Sequence, residues 1–256
     1  MAALNPRQEK ILSLVREKGF VAIEALAQRF DVTAQTVRRD INELCDKALL
    51  QRYHGGAGLP SSVENIAYAT RKVIFSEEKQ RIARAVAREV PDHASLMINV
   101  GTTTEAVARA LVGHTGLRVV TNNMNVAYTL AEKPDFEVIV TGGRLRNRDR
   151  AVVDQGSIEM IRSFRVDIAI IGISGIDLDG TLLDFDRQEV HIAQSIMESA
   201  RRVFLAADHS KFGREAMVRL GHISEIDALF TDRAPPEDVA ALIPSWGVAL
   251  HLADAS

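Results

Sequence analysis

The sequence predicts an α/β protein, with a small N-terminal winged helix-turn-helix followed by a larger domain built on a mostly parallel sheet. Apolar residues recur at helical spacing over 7–45, and β-favouring residues then lead into a Gly-Gly turn at 49–57. In the rest of the chain, short apolar runs alternate with amphipathic helices, which is typical of a parallel sheet covered on both faces. We therefore expect domains at 1–58 and 76–256, joined by a linker at 59–75.

Three short helices account for the spacing in the N-terminal domain. Asn5 and Pro6 suit the cap and the first position of the first helix, which ends at the Lys-Gly-Phe segment 18–20. The second helix ends at 31–33, and Thr33 is well suited to cap the third. Three helices with a tight turn before the third are typical of a helix-turn-helix.

The third helix, predicted at 34–45, has an apolar and a polar face. Val37, Ile41 and Leu44 share one stripe when successive residues are rotated by about 100°. The polar face carries guanidinium and amide side chains: Gln35, Arg38, Arg39 and Asn42. Arg pairs with guanine, whereas Gln and Asn pair with adenine, so this face could read base edges in the major groove. An ordinary solvated helix face has the same composition, and the residues alone leave both interpretations open.

The hairpin predicted at 49–57 would form the wing. Its Arg52 and His54 could contact the DNA backbone or the minor groove, although a simple place at the hairpin tip fits His54 equally well. Cys45 is interpreted as a small packing residue near the edge of the core and not as a reactive thiol. Because it is the single cysteine, an intrachain disulfide and a cysteine-rich zinc site are excluded.

A longer pattern links these elements to a known family. Its residues are Arg7, Ile11, Val15, Thr33 and the segment 36–41, Thr-Val-Arg-Arg-Asp-Ile. They resemble the signature of the DeoR family of bacterial transcriptional repressors, and 52–57 resembles that family's wing. The resemblance implies that double-stranded operator DNA is a partner, and that a homo-oligomer, a dimer or tetramer, presents its recognition helices to paired half-sites. The DNA-binding residues are then Thr33, Gln35, Thr36, Arg38, Arg39, Asn42, Arg52 and His54.

Net charge does not decide the partner. Residues 1–58 carry 9 Lys+Arg against 7 Asp+Glu, while the others carry 22 against 27, which together give the net charge of −3. Affinity for DNA depends on local phosphate contacts more than on net charge. The chain has no apolar run long enough to cross a bilayer and no apolar leader. We therefore expect a soluble cytoplasmic protein with no membrane partner and no cofactor.

Seven apolar runs predict the strands of the larger domain, at 96–100, 117–120, 136–140, 166–171, 203–206, 228–230 and 248–250. In an open α/β sheet, ligands bind beyond the carboxyl ends of the strands. The residues there are mostly small, polar or basic, and the candidate effector-binding residues are Asn99, Gly101, Thr102, Thr103, Thr104, Thr121, Asn122, Gly142, Gly143, Arg144, Gly172, Ser174, Gly175, Asp208 and Lys211. The helix start at 101–104 suits a phosphate cradle. Arg144 and Lys211 could neutralise the phosphate, and Asp208 could bind a hydroxyl group.

Each of these pieces also has a plainer interpretation. A strand-Gly-Thr-helix turn is commonly a helix cap, and Lys211 alone is commonly a surface cation. The prediction of a pocket rests on five polar strand ends that should meet at one edge. An isomerase is the rival function, with Asp208 or Glu189 as the base, but Asn99 reduces the number of acidic groups and a free isomerase would not need residues 33–40.

The larger domain also resembles the sensor domain of the DeoR family, which is similar to the ribose-phosphate isomerase and coenzyme-A transferase group of folds. The resemblance implies that a phosphorylated effector lowers the affinity for the operator. The stretches at 119–123, 172–177 and 208–213 resemble family members that respond to glycerol-3-phosphate, and the resemblance implies that effector. A fructose, tagatose or deoxyribose phosphate is the alternative. Four residues depart from the family pattern: Asn99 where aspartate is common, Asp154 where glycine is common, and Ala193 and Gln194 where a basic pair is usual.

Overall fold

The computed structural model describes residues 4–18, 20–46, 49–53, 55–58, 65 and 68–253. The chain divides into two compact units, Met1–Phe75 and Ser76–Ser256. The prediction for His54, and those for 59–64 and 66–67 of the linker, lie outside the described residues. No helix among the described residues is long and apolar enough to span a bilayer.

The first unit contains three helices and a small antiparallel sheet. Its elements are α1 (Pro6–Lys18), β1 (Phe20–Ala22), α2 (Ile23–Phe30), α3 (Ala34–Asp46), β2 (Gln51–Tyr53), β3 (Gly56–Gly58) and α4 (Tyr68–Val73). The sheet order is β1-β3-β2, so the hairpin of β2 and β3 is the predicted wing, extended by the unpredicted β1. The short helix α4 lies within the segment predicted as a linker.

Local sequence explains where these helices begin and how they pack. The side chain of Asn5 accepts a hydrogen bond from the Gln8 backbone at 2.9 Å, and the Gln8 side chain accepts one from the Asn5 backbone at 3.1 Å. Thr33 caps α3 by accepting a hydrogen bond from the Thr36 backbone at 3.2 Å. The predicted stripe of α3 is buried in the core of this unit. Gly55 makes the wing turn, because its φ of +78° disfavours any residue with a Cβ.

The second unit alternates strands and helices. Its helices are α5 (Ser76–Arg88), α6 (Thr102–Leu111), α7 (Met124–Leu130), α8 (Gln155–Arg162), α9 (Arg187–Glu198) and α10 (Glu237–Leu242). Its strands are β4 (Ser95–Ile98), β5 (Arg118–Thr121), β6 (Glu137–Val140), β7 (Leu145–Arg146), β8 (Ala151–Val152), β9 (Val166–Ile171), β10 (Gly175–Ile176), β11 (Thr181–Asp184), β12 (Ala200–Ala206), β13 (Val218–His222), β14 (Ala228–Thr231) and β15 (Ala249–Leu252). Short 3-10 turns lie at His209–Lys211, Ile223–Glu225 and Ile243–Trp246.

The seven predicted strands form one parallel sheet in the order β15-β14-β12-β9-β4-β5-β6. Along β4, Met97 belongs to one hydrophobic cluster, whereas Leu96 and Ile98 belong to the other, so both faces of the sheet are covered. The chain proceeds from β4 to β5 and β6 on one side, and from β9 to β12, β14 and β15 on the other. The strand order therefore reverses between β4 and β9, where ligands of such sheets bind. This architecture confirms the predicted fold class.

Two small sheets were not predicted. One is the hairpin of β7 and β8, and the other is the antiparallel sheet β10-β11-β13. Their strands have two to five residues each. β7, β8 and β10 have two residues each, while β11 and β13 contain no apolar run longer than two residues. Neither a continuous apolar run nor a clear alternation therefore separates them from a loop.

Candidate DNA-binding and effector-binding sites

The polar face of α3 is open to solvent in the first unit. Gln35, Arg38, Arg39 and Asn42 are exposed, as is the capping residue Thr33, while Thr36 is half-buried. Arg38 makes no hydrogen bond or ion pair with any other residue that the structure describes, so its guanidinium group keeps its donors for a ligand. The predicted reading face therefore exists as a continuous exposed surface of one helix.

A buried carboxylate holds this helix in place. The side chain of Asp40 is almost completely buried and accepts hydrogen bonds from Arg7 Nε and, at 3.3 Å, from Asn5 Nδ2. The hydrogen bond from Arg7 to Asp40 raises the pKa of Arg7 above its usual value. The start of α1 is thus attached to the middle of α3. Sequence reasoning gave Asp40 no role of its own, although a carboxylate three residues after the buried Val37 was the available signal.

A second pair of contacts orients Arg39. Glu43 accepts a hydrogen bond from Arg39 Nε at 3.3 Å, and its other oxygen accepts one from Gln8 Nε2 at 2.6 Å. Since only the Nε of Arg39 is used, the two terminal nitrogens of its guanidinium group remain for other partners. Glu43 therefore positions Arg39 and does not remove it from the surface.

The wing contacts the recognition helix directly. Arg52 on β2 donates a hydrogen bond from Nη1 to Asn42 Oδ1 at 3.1 Å, and both side chains are exposed. The base of the wing is anchored by Tyr53, whose ring lies edge-on to Phe20 with 6.1 Å between centroids. Two predicted DNA-binding residues from different elements are therefore adjacent.

Unpaired polar atoms mark the carboxyl edge of the sheet in the second unit. Among the described residues, five buried side-chain atoms have no hydrogen-bond partner, and four of them follow or end a strand of the sheet. These four are Asn122 Oδ1, Thr141 Oγ1, Asp208 Oδ2 and Thr231 Oγ1. Each such atom costs about 1–3 kcal/mol when it stays unpaired, so these four, spread along the carboxyl edge from β6 to β14, indicate places that polar ligands or water satisfy.

The start of α6 divides its threonines between structure and ligand. Thr104 Oγ1 lies 2.9 Å from the carbonyl oxygens of Asn99 and Gly101, so this hydroxyl closes the turn. The hydroxyls of Thr102 and Thr103 make no hydrogen bond within the described part of the chain, although both side chains are more than nine-tenths buried. Of the predicted cradle, these two hydroxyls are the ones available to a ligand.

The predicted site residues at the point of strand reversal bind each other. Asn99 Oδ1 accepts a hydrogen bond from the Gly172 backbone at 3.0 Å, and Asn99 Nδ2 lies 3.5 Å from the Gly172 carbonyl oxygen. The amide thus joins the ends of β4 and β9, and an aspartate could supply only the acceptor half of this pairing. Thr121 Oγ1 similarly donates to the Ile98 carbonyl at 2.6 Å, and Asn122 Nδ2 donates to that of Val152 at 3.2 Å.

Asp208, at the end of β12, is a buried carboxylate among cations. Burial alone would raise its pKa, but Lys211, the hydrogen bonds from Ser210 and the charge of Lys79 together hold the pKa below its usual value. Lys211 Nζ lies 3.9 Å from Oδ2, the oxygen with no hydrogen-bond partner. An ionised acceptor with one oxygen that accepts no hydrogen bond suits a ligand hydroxyl, and this role of Asp208 stays a prediction.

Ser174 and Gly175 lie on the side of the sheet toward β10 and β11. Ser174 Oγ donates to Asp184 at 2.9 Å, and its carbonyl accepts from Arg214 Nη1 at 3.1 Å. Gly175 is required by packing, because a Cβ there would overlap the carbonyl oxygen of Arg214. The structure thus gives these two predicted site residues a local structural role.

The predicted site residues after β6 are exposed, and Asp154, one of the departures from the family pattern, holds the loop that carries them. Gly142, Gly143 and Arg144 are open to solvent. Asp154 caps α8 through Ser157 at 3.0 Å and accepts from the Arg144 backbone at 2.7 Å, and these two hydrogen bonds lower its pKa. The carboxylate of Asp154 therefore fixes the loop that carries Arg144.

The other two departures face the protein interior. Ala193 is buried in the core beneath the sheet, and Gln194 Nε2 donates to the Leu220 carbonyl at 2.7 Å. Neither side chain is among the polar groups at the strand ends. No cluster of three metal-ligating side chains is found among the described residues.

Sequence reasoning missed Lys79, Thr231 and Asp232 at this edge. The side chain of Asp232 is completely buried and accepts hydrogen bonds from the backbone and Nδ1 of His209, both at 2.7 Å. Thr231 ends β14 and Asp232 follows it, so the strand-end rule that found Asp208 could have found both. Lys79 gave no such signal, because it lies in a polar helix before the first strand.

Comparison with known proteins identifies the family of each unit. The DeoR-like helix-turn-helix domain matches residues 7–63, and the DeoR C terminal sensor domain matches residues 74–233. The "Glycerol-3-phosphate regulon repressor" of Escherichia coli is 49% identical over 96% of this chain and 98% of the relative. The protein of the same name from Haemophilus influenzae is 48% identical over 90% of this chain and 89% of the relative.

Among solved structures, ribose 5-phosphate isomerase A of Neisseria gonorrhoeae matches 52% of this chain and 52% of its own length. The identity is 17% and the TM-score 0.36, which is too low to carry an argument about function.

Proposed function

The chain belongs to the DeoR family of DNA-binding transcriptional repressors, and we propose that glycerol-3-phosphate, bound at the carboxyl edge of the seven-stranded sheet, releases it from its operator. Like its named relatives, the chain is a repressor and not an enzyme. The single observation that carries the effector proposal is the set of unpaired buried polar atoms at the strand ends. Within this set, Asp208 follows β12, two strands from β4 and the 101–104 turn, which is about 10 Å at the usual strand spacing. A small polyol phosphate, with hydroxyls at one end and phosphate oxygens at the other, suits that distance.

The exposed face of α3 supports the assignment of DNA-reading residues. Arg38 has its full set of donors available, and Arg39 and Asn42 contact Glu43 and Arg52, respectively. A guanidinium group can donate two parallel hydrogen bonds to guanine, and such a pair discriminates by about 1–3 kcal/mol against the wrong base. Arg38 is the residue we expect to contribute most to sequence reading.

The chemistry of the strand ends supports a phosphate ester as the effector. Thr102 and Thr103 offer hydroxyls at the start of a ten-residue helix, where backbone N–H groups and the helix dipole favour an anion. Asp208 offers an ionised acceptor, with Lys211 beside it as a counter-charge. The names of the two similar relatives favour glycerol-3-phosphate among phosphate esters.

Operator binding supports two further parts of the proposal. A helix-turn-helix reads one half-site, so a homo-oligomer with two-fold symmetry would match paired half-sites and strengthen binding. A repressor also acts where the chromosome is, which favours the cytoplasm. Sedimentation of the operator complex would give the number of chains directly.

A ligand panel tests which effector binds. Thermal unfolding of the full chain is followed with glycerol-3-phosphate, fructose, tagatose and deoxyribose phosphates, glycerol and inorganic phosphate. We expect the largest rise in Tm with glycerol-3-phosphate, since a ligand that binds only the folded state stabilises it by about 2.7 kcal/mol at 100 times its Kd. A larger shift with a ketose phosphate would reject glycerol-3-phosphate as the effector.

A pair of threonine variants tests the location. Thr103→Val removes one available hydroxyl at the start of α6, so we expect weaker binding of glycerol-3-phosphate by about 1–2 kcal/mol, or about fivefold to thirtyfold in Kd. Thr115→Val is the matched control, because Thr115 is exposed in the loop that precedes β5, at the amino edge of the sheet. Equal effector affinity in the two variants would contradict the assignment of the 101–104 turn to the site.

A further inference from the structure

The first helix of the second unit packs against the strands that carry the candidate effector site. Helix α5 begins at Ser76, the first residue of this unit, and contacts β12, β14 and β15. The ends of β12 and β14 carry Asp208 and the pair Thr231 and Asp232. The chain that arrives from the first unit therefore enters the second through a helix lying on these two strands.

Arg81 of α5 forms an ion pair with one carboxylate at these strand ends, and the charge of Lys79 acts on the other. Arg81 Nη2 lies 3.7 Å from Asp232 Oδ2, which is completely buried. Lys79 is itself only 5% exposed, and its charge is one of the causes that lower the pKa of Asp208. The first two turns of α5 are thus connected electrostatically to two buried carboxylates of the site.

Buried charges of this kind respond strongly to a new anion. A phosphate ester carries about −1.5 to −2 charges near neutral pH, and beside Asp208 it would be repelled unless cations bind it. Lys211 and Lys79 are the cations near Asp208. Because Lys79 is buried, it cannot turn away into water, and so an arriving phosphate must change the balance of its contacts with the protein.

We propose that the N-terminal part of α5, through Lys79 and Arg81, is a contact element of the effector site and the element that transmits its occupancy toward the first unit. This inference rests on the proposed function, because it assumes that a phosphate ester binds at the strand ends. Its structural basis is the burial of Lys79, the Arg81–Asp232 ion pair and the packing of α5 on β12 and β14. The effector's phosphate binds Lys79 and Lys211, and its hydroxyl binds the unpaired oxygen of Asp208.

Hydrogen–deuterium exchange of the unmodified full chain tests this without any substitution. Saturating glycerol-3-phosphate should slow exchange both at the 101–104 turn and along 76–88, while the exposed loop at 113–116 stays unchanged. Slowed exchange at 101–104 with no change along 76–88 would overturn the role of α5 and leave the proposed function standing. No change at either segment would overturn both.

Charge-removing variants then identify the side chain. In Lys79→Gln we expect the Kd for glycerol-3-phosphate to rise about tenfold or more, because a buried charged partner of the ligand is lost. Operator affinity in the absence of effector is measured on the same samples, to show that the variant is folded. Arg84→Gln removes the same charge from the exposed side of the same helix and should leave both affinities unchanged. Unaltered effector binding and operator release in Lys79→Gln would overturn the assignment of Lys79. If Lys79→Gln fails to fold, Lys79→Arg is used in its place. Effector binding by Lys79→Arg would then support the assignment, and a folded Lys79→Arg that does not bind the effector would overturn it.

Discussion

Replacing Asp40 with alanine should loosen the recognition helix without touching its exposed face. Asp40 accepts hydrogen bonds from Arg7 and Asn5, and its side chain is almost fully buried. A hydrogen bond to a charged group contributes about 1.5–3 kcal/mol, but the Arg7 side chain is 32% exposed and water can replace part of the loss. We therefore expect α3 to lose about 1–2 kcal/mol of local stability.

Amide exchange measures that loss without requiring the two units to unfold together. A loss of about 1–2 kcal/mol should accelerate exchange of the central α3 amides by about fivefold to thirtyfold. Asp46→Ala is the matched control, since it removes the same charge from an exposed position at the end of the same helix. Exchange in Asp40→Ala that matches the control would refute the role assigned to the Arg7–Asp40 contact.

The same variant separates helix position from helix stability. A unit of this size typically has about 3–5 kcal/mol of stability, so a loss of 2 from about 4 kcal/mol leaves roughly 3% of molecules unfolded. Unfolding alone would then change operator affinity by only a few per cent. A fall of about twofold or more in operator affinity would therefore come from a changed orientation of α3.

Three further predictions concern single positions. Arg38→Ala should weaken operator binding by about 1–3 kcal/mol and leave the Kd for glycerol-3-phosphate unchanged, as measured by fluorescence anisotropy and calorimetry. Gly175→Ala should lower the stability of the second unit by about 1–3 kcal/mol and its Tm by several degrees, because the new methyl overlaps the Arg214 carbonyl; an unchanged Tm would contradict that packing. Burial raises the pKa of Asp232, and the hydrogen bonds from His209 lower it, so that the folded-state pKa lies below the usual value. The contribution of the ionised carboxylate to stability is therefore complete at neutral pH and is lost as the pH falls through the folded-state pKa. Thermal unfolding between about pH 6 and pH 3 should therefore fall less steeply in Asp232→Asn than in the unmodified protein.

The parts of the fold that could be predicted are those with long or chemically distinctive patterns. The central strands of the parallel sheet are buried on both faces and appear as continuous apolar runs, as in 168–171, and the stripe of Val37, Ile41 and Leu44 has a clear helical period. By contrast, β1 and the strands of the two small sheets are either two or three residues long or, in β11 and β13, lack an apolar run longer than two residues. Helix α4 lies in a segment whose composition is typical of a linker.

The candidate effector site was predictable only as an edge of the sheet. The strand-end rule found Asp208 and the 101–104 turn, but it could not show that Thr104 closes the turn while Thr103 keeps an available hydroxyl. Asn99 was predicted as a ligand residue, and the structure pairs its amide with the Gly172 backbone. Lys79 could not be found this way, because its place depends on how α5 packs across β12 and β14, and long-range packing leaves no local pattern.

Release of operator DNA by glycerol-3-phosphate tests the central claim most directly. The full chain is titrated, at one fixed salt concentration, onto a fluorescent duplex that it selects from its own genome, with and without saturating glycerol-3-phosphate. The structure predicts that the effector weakens binding by about 5- to 150-fold, the usual range for coupled sites, while glycerol and inorganic phosphate have no effect. Two results would contradict a repressor controlled by phosphate recognition at the strand ends. One is an operator affinity that no tested phosphate ester changes from its value without effector, and the other is release by glycerol alone.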